Sequence, residues 1–245
     1  MQRNLSRVFQ TKTQVEIDEL MRKFYRNFFD IMFETVKLLV ISKAQIRRRM
    51  KEGEMSVLKK YKQEGKSVIL AIGHIGNWEL GAAGYAIHDY PQVRGVYKPL
   101  SSVFFDNMMI RIRSRFGGEV YPMEETVERM RQDASKVTAT GLLADQRPSS
   151  DKAYWLNFLE KEAPVFTSVE MLSKRFNYPV VYLKFNRLGR GHYEMNAELL
   201  TDDPGSTDKF EITHKYFELL ERDIRNQPDN WLWTHNRWKK TKTQP

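Results

Sequence analysis

The chain contains no cysteine, which excludes a thiol nucleophile, a thiolate-ligated zinc and a disulfide framework. Any acyl chemistry must use another group. It also lacks an apolar run near the roughly 18 residues of a spanning helix, and no secretory signal pattern opens it. The five histidines, His74, His88, His192, His214 and His235, are scattered without metal-ligand spacing, so no metal or other cofactor is expected. Internal repeats and long low-complexity linkers are absent as well. Acidic residues are in deficit: 31 Asp and Glu stand against 40 Lys and Arg, a formal net charge of +9. That excess suits anionic partners, whether nucleic acid, lipid headgroups, phosphorylated substrates or an acidic protein. At 245 residues the chain has the size of one α/β domain and can bury a core without staples.

What is present is an alternation of helix and strand patterns. The spacing of Phe24, Phe28, Ile31, Thr35 and Leu38 predicts a helix over 14–41. Phe29, Met32, Phe33, Val36, Leu39 and Val40 widen its apolar face, which fits burial against a sheet or partial contact with a bilayer. A basic patch, QIRRRMK (45–51), and a short polar helix over 55–64 lead to the run SVILAI. Its near-continuous apolar character is that of a central parallel strand buried on both faces. Helices are expected over 77–87, 103–116, 125–136 and 166–176, and strands over 93–97, 119–122, 140–144 and 180–185. A strand over 192–199 is expected to pair antiparallel with the last of these. The stretches QRPSSDKA and TDDPGSTD read as loops, and an amphipathic helix over 209–225 precedes a Trp-rich tail. The fold class is therefore α/β, one domain with an open, mostly parallel sheet flanked by helices. Residues 1–60 form its helical amino-terminal part, 66–200 its α/β core and 207–245 its last helix and tail.

Ligand sites in open α/β sheets lie at the carboxyl ends of strands, and SVILAI runs directly into Gly73-His74. Glu79 follows five residues later. On a shared helix the two side chains would diverge, so they can meet only if His74 precedes the helix and Gly76 turns the backbone. Glu79 could then accept one imidazole N–H and leave the other nitrogen as a general base for a hydroxyl attacking an acyl carbonyl. The alternative is a histidine that caps or packs at a strand end.

The heptapeptide GHIGNWE resembles the His-x4-Asp/Glu box of the lysophospholipid acyltransferase superfamily. In particular it is similar to the GHxGNWE form of the late lipid A biosynthesis acyltransferases, the lauroyl and myristoyl transferases of Gram-negative bacteria. VYKPLSSVFFDNMMIRIRSRFGG (96–118), LLADQ (142–146) and NWLWTHNRWK (230–239) agree in order and spacing. The resemblance covers nearly the whole chain and supports the glycerolipid acyltransferase-like fold. It implies transfer of a fatty acyl group from acyl carrier protein, or another acyl thioester, to a hydroxyl of a membrane lipid, without an acyl-enzyme. His74 matches the base and Glu79 its orienting acid. Asn77 of the same box, Lys98, Arg113, Arg115, Asp145, Gln146 and Arg147 are the expected substrate-binding residues.

Arg111, Arg113 and Arg115 fan out on a helix at about 100° per residue, so one or two of them reach a common site. A solvated basic face is the other reading. Lys98 follows a strand end, where members often have arginine, and keeps a point charge without bidentate geometry. Asp145, Gln146 and Arg147 share the sheet edge with His74, or instead pair among themselves in a loop. In the tail, Trp231, Trp233 and Trp238 interleave with His235, Arg237, Lys239 and Lys240. Packing with some contact to the site, insertion among lipid headgroups and base stacking all suit such a pattern. No nucleic-acid module is present, and no nucleic-acid partner is expected.

Two departures from the family pattern stand out. Members usually carry an apolar anchor ahead of a segment like RNLSRVF, and here Met1 begins almost on that segment. Either a segment is missing, or the protein binds the cytoplasmic face of the bacterial inner membrane peripherally, with the basic patch at 47–51 contributing. The second departure is Phe158-Leu159-Glu160-Lys161, where the family more often has glycine. The acceptor expected is an anionic lipid, a lipid A precursor first. Acylation of a lysophospholipid or aminolipid, or a non-catalytic lipid-binding role, are the rival readings.

Overall fold

The computed structural model describes residues 1–148 and 153–239. Residues 149–152 of the loop QRPSSDKA, and Lys240 of the tail, lie outside them. The run SVILAI becomes β2 (Val68–Ile72), buried at every residue. It is the middle strand of a seven-stranded sheet. On one side it pairs in parallel with β5 (Thr138–Leu143), beyond which lie β3 (Gln92–Tyr97) and β4 (Glu119–Pro122), also parallel. On the other side it pairs with β8 (Val180–Gly189), followed by the expected antiparallel β9 (His192–Thr201). The edge strand β1 (Met50–Glu52), parallel to β9, was not foreseen. Three residues beside a basic helix carry too little pattern to announce a strand.

Side chains of β2 alternate between two cores. Ile69 and Ala71 join α1 (Gln2–Val8), the first half of α2 (Gln14–Lys37), α8 (Ser168–Phe176), α9 (Glu211–Asn226) and the Trp-rich tail. Leu70 and Ile72 join α3 (Lys43–Arg49), α4 (Ser56–Gln63), α5 (Trp78–Ala86) and α6 (Val103–Ser114). The remaining helix, α7 (Thr126–Gln132), is shorter than the expected 125–136 and follows a 3-10 turn at Met123–Glu125.

α2 stops at Lys37 rather than continuing to residue 41. Arg115 Nη1 donates to the carbonyls of Leu38 (2.7 Å) and Ile41 (2.6 Å), satisfying acceptors that a longer helix would have used. α2 buries Ile17, Leu20, Phe24 and Ile31 on one side, while Phe29, Met32, Phe33 and Val36 stand exposed on the other. The hairpin of β6 (Tyr154–Phe158) and β7 (Lys161–Val165) was missed. Its two-residue turn puts Leu159 and Glu160 at φ 53° and 62°, a conformation that favours Asn-Gly. Burial of the Leu159 side chain, and a 2.7 Å bond from its N–H to Glu221, hold the turn without glycine.

Candidate active site

The site is built at the carboxyl end of β2. His74 lies two residues past the strand, and Asn77 caps α5 by accepting the Leu80 N–H (2.9 Å). Between them Gly76 has φ +64°, and a Cβ there would stand 2.0 Å from the Phe185 carbonyl oxygen. Only glycine both turns the chain and clears that carbonyl. The tail clamps the same loop from outside: Leu232 N–H donates to the His74 carbonyl and Gly76 N–H to the Asn230 carbonyl, each at 3.0 Å.

The imidazole partner is Asp145, not Glu79. His74 Nδ1 lies 2.5 Å from Asp145 Oδ1, and the His74 backbone N–H reaches Oδ2 at 3.2 Å. Asp145 arrives there because it follows β5, the immediate neighbour of β2. Its Oδ2 also accepts from Trp231 Nε1 and Arg237 Nη2, both at 2.8 Å, and its carbonyl accepts from Arg237 Nε at 2.6 Å. The guanidinium of Arg237 lies 3.7 Å over the Trp231 ring. Burial alone would raise the Asp145 pKa, but the charges of His74 and Arg237 outweigh it and hold the carboxyl well below its usual range. An ionised carboxylate only accepts, so Nδ1 keeps its proton toward Asp145 and, in the neutral form of the ring, Nε2 is the nitrogen that presents a lone pair. Nε2 lies 3.3 Å from Gln146 Nε2, and the Trp78 ring meets the imidazole edge-on at 5.0 Å.

Glu79 sits in the first turn of α5 and is drawn sideways to α6. Arg113 grips it with Nε at 3.0 Å and Nη2 at 2.6 Å, a bidentate pair in which Glu79 is buried. Burial would lower the Arg113 pKa, but this carboxylate raises it above the usual arginine value. Among the described residues Nη1 of Arg113 has no partner.

His74, Glu79, Lys98, Arg113, Gln146 and Arg147 all line one cavity of about 720 Å³. Asp145 stands behind His74. Asn77 and Arg115 are not brought into the cavity: Asn77 is buried, donating to Glu34 at 2.6 Å, and Arg115 caps the end of α2. Sequence reasoning missed Trp231 and Arg237 as the residues that hold Asp145. Their signal was the interleaved tail itself, whose long-range target no local pattern names.

His235, also from the tail, accepts the Arg147 N–H at 3.4 Å. Burial, then the charge of Arg237, pushes its pKa down to about 4. An unfolded histidine titrates near 6.5, so between those values the unfolded state holds the extra proton. Stability from this residue is therefore complete above pH 6.5 and is lost as pH falls toward 4. Urea unfolding measured across that window should show a decline that His235→Asn flattens. Equal slopes for both proteins would remove His235 as the cause.

A family model described as bacterial lipid A biosynthesis acyltransferase matches residues 1–240 of the chain. The chain is also similar to a lipid A biosynthesis acyltransferase of Haemophilus influenzae (strain ATCC 51907 / DSM 11121 / KW20 / Rd). The two are 22% identical over 239 residues, which cover 95% of this chain and 72% of that protein.

Proposed function

The chain belongs to the bacterial lipid A biosynthesis acyltransferase family, an acyltransferase of lipid A synthesis, and from that premise we propose the finer reaction. A fatty acyl group passes from an acyl thioester, carried by acyl carrier protein, to a hydroxyl of a lipid A precursor. The observation that carries this reading is His74, held by an ionised Asp145 with Nε2 at a largely apolar cavity.

His74 Nε2 takes the acceptor hydroxyl proton as the oxygen bonds to the thioester carbonyl carbon. The tetrahedral intermediate then collapses, the carbon–sulfur bond breaks, and the imidazolium returns the proton to the leaving thiolate. No acyl-enzyme forms, and no resident cofactor is needed. Asp145 fixes the tautomer and stabilises the imidazolium. This assigns to Asp145 the orienting role that the resemblance gave to Glu79. Glu79 instead anchors Arg113, whose remaining Nη1, with Lys98 and Arg147 of the same cavity lining, suits the phosphate of an anionic acceptor.

No helix among the described residues is long and apolar enough to cross a membrane. Phe29, Phe33 and Val36 on α2 with Val40 just after it, and Val103, Phe104 and Phe105 at the start of α6 with Leu100 just before it, are exposed apolar residues. Such residues, on a basic protein, fit peripheral contact with the anionic inner leaflet at the cytoplasmic face of the inner membrane. The positive charge also suits an acidic carrier protein.

The test is acyl transfer from acyl carrier protein thioesters to lipid A precursor or lysophospholipid in mixed micelles, with products read by mass spectrometry. A new ester on the lipid A precursor is expected. An ester on the lysophospholipid alone would replace the acceptor, and no ester with any pair from folded protein would remove the reaction.

A further inference from the structure

Glycine is a poor choice inside a strand, because it packs nothing and loses the most backbone freedom. Yet β3 and β5, both inner strands, carry glycines directly opposite each other: Gly95 pairs with Gly141. Neither requires glycine for its backbone or its neighbours. Their φ angles are not positive, and an added Cβ would meet Ile72 Cδ1 at 3.4 Å from Gly141 and Val120 Cγ1 at 3.7 Å from Gly95. Both are ordinary contacts.

The pair is also the last rung between these strands. Beyond it Val96 and Tyr97 pair only with β4, and Leu142 and Leu143 only with β2. The sheet forks there, with the glycines at the base of the fork. The cavity passes through the opening, since its wall takes Leu70, Ile72 and Tyr85 from one core and Leu142, Ala144 and Leu172 from the other. Gly95 and Gly141 line it too. The absent methyl groups thus enlarge the cavity rather than relieve the chain.

We infer that Gly95 and Gly141 set the length of the acyl chain that is transferred. This rests on the reaction proposed above, which places the reacting carbonyl at His74. Gly141 is level with Leu70, four residues before His74, or about 13 Å along an extended strand. An acyl chain running from the carbonyl along Ile72 and Leu70 reaches the fork and crosses the glycine pair. Methyl groups there would meet the far carbons of a long chain and spare a short one.

The experiment uses the full chain with Gly95→Ala, Gly141→Ala and Gly95→Val, each given a competing mixture of acyl carrier protein thioesters of graded length with lipid A precursor. Mass spectrometry reads the product lengths, and melting temperature is followed beside it. Use of the longest chain accepted by wild type should fall at least about tenfold relative to chains two or four carbons shorter. The melting temperature should hold or rise, as expected when alanine replaces a strand glycine. An unchanged length profile would overturn the inference. So would uniform loss at all lengths with a lower melting temperature, or a raised KM for the lipid acceptor alone. If wild type itself forms no ester, the reaction fails separately. Binding of free fatty acids of graded length to wild type and variants then reads the same length limit.

Discussion

His74→Ala is expected to lower the rate of acyl transfer by roughly 10²–10⁴-fold, the usual range for a positioned general base, with little change in stability. The fold should survive because Asp145 keeps Arg237 and Trp231 when the imidazole is gone. The more discriminating comparison is with the two carboxylates. Asp145→Asn removes the acceptor that fixes the Nδ1–H tautomer, so it should lose much of the same rate. In the His74→Ala background the same change should cost almost no further rate, because a positioning group acts only through the group it positions. Glu79→Gln should behave differently. It loosens Arg113 and should raise the KM for the anionic acceptor, and its effect should add to that of His74→Ala. Additive losses for Asp145 and His74, or strong coupling between Glu79 and His74, would return the orienting role to Glu79.

Arg237→Met should give the largest loss of stability. Arg237 is buried, makes two bonds to Asp145 and donates Nη1 to the Leu232 carbonyl at 2.7 Å. Removing one partner of a buried pair leaves the other charge uncompensated, which costs about 3–5 kcal/mol. Methionine keeps much of the packing over Trp231, so the loss reports the charge rather than a cavity. Adding Asp145→Asn to Arg237→Met should restore part of the stability while activity stays low. Urea unfolding of the three proteins measures this directly. A loss below about 1 kcal/mol for Arg237→Met would mean that water or another group already neutralises Asp145.

Local physics made the frame readable. The uniform burial of β2 follows from the apolar run SVILAI, and the alternation of strands and helices led to the mostly parallel sheet with β9 antiparallel to β8. What stayed hidden had weak local pattern or local cost. β1 is three residues long, and the turn at Leu159 and Glu160 has the wrong residues for its backbone. The exposed side of α2 shows why periodicity alone left two readings: the helix is apolar on both the buried and the exposed sides.

By itself, the sequence determined that a histidine stands at the mouth of the central strand, turned out of the following helix by Gly76. That is a nearest-neighbour effect, decided within a few residues by backbone freedom. Only the tertiary structure decided which carboxylate serves that histidine. Glu79 is five residues away but lies on a helix facing Arg113, whereas Asp145 is 71 residues away. Strand adjacency and the Trp231–Arg237 clamp bring Asp145 to the imidazole. The fork beside Gly95 and Gly141 is of the same kind, since a cavity exists only where distant strands part.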